Sequence, residues 1–180
     1  MNQSVVIQKL FKEYFKDKLI TGIEIGTNRA DLTLAILTAM PHSFVYTIDP
    51  WKHESVDDML PGDELFESGQ PQSYHDLNRE QTKKRLLIPE YEDRVEIIPL
   101  KSSEAIGRFT PDSYDFVWLD GNHSKSAVTS DLELYYPLVK KGGIFGGHDY
   151  LCVHPLTEII KEKFGDRIIT GDDFTWWVIK

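Results

Sequence analysis

Cysteine is nearly missing from this chain: Cys152 is the only one among 180 residues. No intrachain disulfide can form, which fits a reducing compartment, and a lone thiol reads as an inert small hydrophobe. Long apolar runs are missing too. None approaches the roughly 20 residues that span a bilayer, and the N-terminus lacks the apolar centre of a signal peptide. A cytoplasmic protein that does not enter a membrane is expected. Basic charge is in deficit: 20 Lys and Arg face 29 Asp and Glu, a net charge of −9. Nucleic acid and anionic membranes select basic surfaces, so neither is expected as a partner. The remaining bulk properties are ordinary. A hydrophobic fraction of 41% and a charged fraction of 27% suit one globular domain over residues 1–180, with a real core.

Within residues 1–20, Val6, Leu10 and Tyr14, with neighbouring Val5, Phe11 and Phe15, are spaced as one helical face. This predicts a helix that packs on the domain and carries no chemistry. "LITGIEIG" reads as a strand. Leu32, Ala35, Ile36, Ala39 and Met40 read as a helix stopped by Pro41, and "FVYTIDP" as a second strand. Residues 52–73 then lose all period around Pro61-Gly62 and "SGQPQS". A stretch this long is either a substrate lid or a tolerated insertion. After a charged helix near 74–88, strands "RVEIIPL", "YDFVWLD" and "GGIFGGHD" alternate with helices at "SSEAIGRF", 124–139 and 155–164. The tail "RIITGDDFTWWVIK" reads as an antiparallel hairpin. Such alternation predicts an α/β fold: a parallel sheet with helices on both faces, right-handed crossovers and one antiparallel edge.

Ligands of open α/β sheets bind beyond the carboxyl ends of the strands, so the residues just after each strand are the informative ones. Gly26 sits where a missing side chain lets a ligand approach backbone amides, with Glu24 late in the preceding strand. The Gly-x-Gly-x-x-Gly of dinucleotide sites is absent, which counts against an NAD-dependent oxidoreductase. Asp49 comes about twenty residues on, where an acid accepts both ribose hydroxyls as donors. Asp120-Gly121 could be a type I′ turn, but the residues after it are patterned as helix, and this favours a functional Asp120. His148 and Asp149 come after Gly146-Gly147, and imidazole plus hard oxygen can hold a divalent cation. His123 is either a general base or a solvent-facing capping residue.

Together, "GIEIGTNRADLTLAIL", "TIDPW", "SSEAI" and above all "YDFVWLDGNHSKSAVTSDLELYYPLVKKGGIFGGHDY" resemble the class I S-adenosylmethionine-dependent methyltransferases. More narrowly, they resemble small-molecule O-methyltransferases related to the macrocin O-methyltransferases, and "TWWVIK" also fits. The resemblance implies a Rossmann-like sheet of seven strands ordered 3-2-1-4-5-7-6, with strand 7 antiparallel. It implies S-adenosylmethionine as cofactor and a small-molecule hydroxyl, on a sugar or natural product, as acceptor. Glu24, Gly26, Thr27 and Asn28 would line the methionine and ribose end, Asp49 the ribose hydroxyls, and Trp51, Ser102 and Ser103 the adenine. Asp120 would edge the cofactor and, with His148 and Asp149, hold Mg²⁺ and the acceptor hydroxyl. His148 or His123 would take the proton. Three positions depart from the family pattern: Ala30 stands at a frequent glycine, Lys101 at a frequent acid, and His148 at an acid of the metal-dependent members. A cofactor-binding protein without catalysis is the rival reading, and a homo-oligomer is left open.

Overall fold

The apolar runs pair as strands because each can bury both faces. In the computed structural model, which describes residues 2–55, 57, 59–61, 63 and 67–180, seven strands form one sheet. They are β1 (Ile20–Ile25), β2 (Ser43–Ile48), β3 (Val95–Ile98), β4 (Tyr114–Leu119), β5 (Val139–Gly147), β6 (Ile169–Thr170) and β7 (Trp176–Ile179). Their order is β3-β2-β1-β4-β5-β7-β6. β1 to β5 run parallel, whereas β7 pairs antiparallel with both β5 and β6. The implied topology is therefore the observed one. Strand order reverses at β1, between β2 and β4, and the crevice opens there.

Two helical layers cover the sheet. On one face α1 (Gln3–Phe15) and α2 (Asp31–Ala39) pack Ile7, Phe11 and Ile36 against Val45, Phe116, Trp118 and Ile144. On the other, α4 (Ser102–Ala105), α5 (Lys125–Tyr135) and α6 (His154–Phe164) pack Leu132, Ile160 and Phe164 on Val117, Phe145 and Val178. Each fully buried side chain of this size contributes about 1.5–3 kcal/mol. α3 (Gln72–Leu86) starts directly after Pro71, two residues before the expected boundary. Among the described residues no helix is long and apolar enough to cross a membrane.

Three local expectations change. The buried stripe of α1 is Val6, Ile7, Phe11 and Phe15, while Val5 and Tyr14 face outward. Tyr14 spends its hydroxyl on the Gly142 carbonyl at 2.8 Å. The 124–139 helix ends at Tyr135, where Pro137 converts it to a 3₁₀ turn, and β5 begins at Val139 with a register shift opposite Tyr114 and Phe116. Of residues 52–73, Glu67–Gly69 form a 3₁₀ turn. Positions 56, 58, 62 and 64–66 of that stretch, and residue 1 of the N-terminal helix, lie outside the described residues.

Candidate active site

The crevice is a cavity of about 830 Å³ whose wall includes Gly26, Asn28, Asp49, Trp51, Ser102, Ser103, Asp120, His123, His148 and Asp149. That is the usual size for a small-molecule site. Its floor is set by Gly26, with φ of 92°: a Cβ there would stand 2.0 Å from the backbone oxygen of Asp120. The missing side chain thus serves first to let the ends of β1 and β4 close on one another. The same holds for Gly146 and Gly147, where a Cβ would meet backbone oxygens of Trp176 and Leu119 at 2.5 Å. Sheet packing, and not an approaching ligand, demands those two.

The loops after β1 and β2 are cross-braced by backbone amides. Asp49 accepts the Asn28 N–H on Oδ2 at 2.9 Å and the Trp51 N–H on Oδ1 at 2.7 Å. Trp51 Nε1 donates to the Asn28 carbonyl at 2.8 Å. From α3, Thr82 donates to the same carbonyl at 2.8 Å and Asn78 to Asn28 Oδ1 at 2.6 Å. This bracing from α3 is not evident in the sequence, although His75, Asn78, Thr82 and Leu86 are buried at helical spacing.

Glu24 and Thr27 do not belong to the wall. Glu24 is buried behind the loop, accepting from Thr47 at 2.6 Å and from Thr33 of α2. Burial pushes its carboxyl up to about 7, against those two hydrogen bonds and with help from Asp49. Thr27 bonds the Thr47 hydroxyl in the same pocket. Both residues therefore support the turn and do not face the crevice.

Across the crevice, Tyr135 donates to the Ser102 carbonyl at 2.7 Å. Asp131 beside it is buried, which pushes its carboxyl up to about 7 against a hydrogen bond with Ser102. Glu54 spans from Lys101 Nζ at 2.6 Å to Asn122 Nδ2 at 3.1 Å. A carboxylate thus returns to the wall where Lys101 departs from the family pattern. Asp63 accepts the backbone N–H of Ser126 at 3.0 Å, near the start of α5, and its hydroxyl as well; these bonds hold the Asp63 carboxyl below its usual range.

The ends of β4 and β5 bring acids and histidines together. His123 Nδ1 lies 2.6 Å from the Gly121 carbonyl, and Nε2 pairs with Asp149 Oδ2. If Nδ1 donates to that carbonyl, the Nε2 lone pair faces a carboxylate oxygen, and such a pairing calls for a proton or a metal ion between them. Donor atoms of Asp120, His123 and Asp149 all lie within 4.8 Å of one another. This set of hard oxygens and one imidazole fits a divalent cation.

The expected metal set is Asp120, His148 and Asp149; the donor atoms that converge among the described residues are those of Asp120, His123 and Asp149. His148 Nδ1 lies 3.2 Å from Asp149 Oδ1 and 3.8 Å from Asp120 Oδ1, and Nε2 lies 3.6 Å from Asp173 Oδ2. Burial works against its charge, but the bond to Asp149 and the charges of Asp120, Asp149 and Asp173 raise its pKa overall. Burial raises the Asp120 carboxyl, against His148 and a hydrogen bond from Gln3. For Asp149, burial is outweighed by bonds from His148 and Cys152, and the carboxyl is lowered. The same neighbourhood pushes the Cys152 thiol up to about 11, by burial first and Asp149 second, so it is a poor nucleophile.

Two residues of this cluster are invisible to sequence reasoning. Asp173 is hidden in what reads as a hairpin turn, and Gln3 carries no signal at all.

A mixed seven-stranded sheet of this order, with an acid on the second strand's loop and acids beyond the fourth and fifth, is the class I S-adenosylmethionine-dependent methyltransferase fold. The methyltransferase-domain family matches residues 23–150, and the chain belongs to that family. Among solved structures, a candidate caffeoyl-CoA O-methyltransferase from Staphylococcus aureus is similar with a TM-score of 0.69 at 17% identity, over 97% of this chain and 80% of that one. The O-methyltransferase NovP gives 0.67 at 18%, over 97% and 79%. TomG from Streptomyces achromogenes, an O-methyltransferase of tomaymycin synthesis solved with S-adenosylmethionine, gives 0.65 at 14%, over 99% and 79%. No curated protein matches the chain by sequence.

Proposed function

We propose that the chain transfers the methyl group of S-adenosylmethionine to a hydroxyl of a small molecule, at the end of the crevice where Asp120, His123, His148 and Asp149 meet. The observation that carries this reading is the convergence of Asp120, His123 and Asp149 on the same rim as the amide-braced Asp49 loop. Methyl transfer forms an O–C bond as the C–S bond breaks, so the protein must align the two partners and accept one proton. Asp49, already fixed by two amides, retains lone pairs for the ribose hydroxyls; Asn28 and Gly26 shape the path toward the methionine end. Trp51, Ser102 and Ser103 flank the adenine.

On the acceptor side, the hydroxyl proton passes to a carboxylate oxygen of Asp120 or Asp149, both of which line the crevice. His148 balances the surrounding acids. Asp120, His123 and Asp149 would hold Mg²⁺, which when bound supplies a Lewis acid that lowers the acceptor's pKa.

The test is a pair of measurements. S-adenosylhomocysteine at about 100 times its Kd should add about 2.7 kcal/mol of stability, and NAD none. Methyl transfer from labelled S-adenosylmethionine to a panel of sugars, phenols and glycosides should then reveal an acceptor. A chain that NAD stabilises and S-adenosylhomocysteine does not would overturn the reading.

A further inference from the structure

We infer that Gln3, the first residue of α1, is a positioning residue that fixes the carboxylate of Asp120 for the acceptor end of the site. This rests on the functional reading above and goes beyond it by bringing the N-terminal helix into the active site. Gln3 Nε2 donates to Asp120 Oδ2 at 2.9 Å, and the Gln3 backbone N–H donates to Asp173 Oδ2 at 2.5 Å. The first N–H groups of a helix have no partner within it, so this one is available for a distant acid. Asn2, the N-cap of α1, accepts the Val5 N–H of the same first turn on its side-chain oxygen at 3.1 Å. Gln3 is not a loose end. Ile7, Phe11 and Phe15 are buried under the sheet and fix where α1 begins.

The two acids that Gln3 holds stand on opposite sides of one imidazole. Asp120 Oδ1 lies 3.8 Å from His148 Nδ1, and Asp173 Oδ2 lies 3.6 Å from His148 Nε2. Asp149 is a third acid on the same ring. Three carboxylates compete for the two ring nitrogens of one histidine, so Asp120 needs a further restraint. Gln3 supplies that restraint with a neutral donor, which adds no competing charge. The positive end of the α1 dipole acts in the same sense. Among the described residues no other hydrogen bond reaches the Asp120 carboxylate. With Oδ2 held by Gln3, Oδ1 is the oxygen that lies toward His148 Nδ1.

Loss of a hydrogen bond that orients a metal-binding carboxylate commonly costs 10- to 100-fold in metal affinity. The experiment measures Mn²⁺ and S-adenosylhomocysteine binding by calorimetry, with melting temperature, for the parent chain and Gln3→Met, which keeps the length but removes the amide. The expected result is Mn²⁺ affinity lower by about 10-fold or more, with S-adenosylhomocysteine affinity and melting temperature nearly unchanged. Unchanged Mn²⁺ affinity overturns the inference. So does a parallel loss of both ligands with a fallen melting temperature, which marks a merely structural role. If Gln3→Met does not fold, Gln3→Asn decides by the same criteria, since its amide is one methylene too short to reach. A parent chain that binds S-adenosylhomocysteine but no Mn²⁺ sinks the metal reading and this inference together. A normal parent with an indifferent Gln3→Met sinks only the inference.

Discussion

The two halves of the crevice are built on opposite principles. On the cofactor half, the single acid Asp49 is met by the backbone amides of Asn28 and Trp51, and the loop carrying Asn28 is braced again from α3. On the acceptor half, acids outnumber their partners. Asp120, Asp149 and Asp173 crowd around His148, and His123 Nε2 pairs with Asp149. The first half is braced in advance by its own hydrogen bonds, and under the proposed function a nucleoside would enter it without rearrangement. The second is electrostatically incomplete and responds to whatever proton, metal ion or hydroxyl arrives. Positioning and chemistry are thus separated along one cavity.

Substitutions can break this contrast. The largest effect is expected at Asp149→Ala: methyl transfer should fall by about 10³-fold, within the usual range for a group of this kind. S-adenosylhomocysteine affinity should stay within about 3-fold of the parent. Radiometric turnover and calorimetry check the two halves separately. Asp49→Ala should do the converse. S-adenosylhomocysteine affinity should fall by about 10- to 100-fold, the worth of a charged hydrogen bond, while turnover at saturating cofactor changes less. If either variant damages both readouts equally, the halves are not independent.

A smaller effect concerns the buried acids that stay out of the chemistry. Glu24 and Asp131 have carboxyls raised from 4.5 and 3.8 to about 7. Above their unfolded pKa values the unfolded chain releases these protons while the folded chain retains them. Stability therefore declines as pH rises from about 4 to about 7 and levels off beyond. Asp131→Asn should resist this decline, being no less stable than the parent at pH 5 and more stable at pH 8, as urea midpoints would show. The smallest effect is expected at Ala30→Gly. Ala30 is fully buried at φ of 66°. Relief of left-handed strain, about 1–2 kcal/mol, is offset by a lost methyl of about 0.8 kcal/mol and by glycine's greater freedom when unfolded. Urea midpoints should place the variant within about 1 kcal/mol of the parent.

Much of this is legible from the chain itself, for particular reasons. Apolar runs ending abruptly at Asp49, Asp120 and Asp149 reveal strand ends, and strand ends locate the crevice. Choosing between His123 and His148 is beyond sequence. His148 and Asp149 both follow the end of β5, and Asp149 stands in left-handed backbone at φ of 60°, so strand alternation does not say which way they point, while His123 reaches Asp149 from a different loop. Glu24 is misplaced by the sequence: its pairing opposite Thr47 turns it toward α2. Gln3 and Asp173 lie 117 and 53 residues from Asp120 in sequence, and only the folded arrangement of α1 and the hairpin brings them in.

Gly26 is where the two halves touch, since any side chain there would press on the backbone of Asp120. That contact makes the position intolerant of drift, because one methyl would disturb donor and acceptor geometry at once. New acceptor preferences must therefore arise elsewhere. The turn after β5 and the hairpin tip are well suited to supply them. Asp149, Leu151, Asp173 and Phe174 already occupy left-handed backbone there, and Leu151 and Phe174 are exposed. Variation confined to the exposed Leu151 and Phe174 would leave Asp149, Asp173 and the floor at Gly26 unchanged.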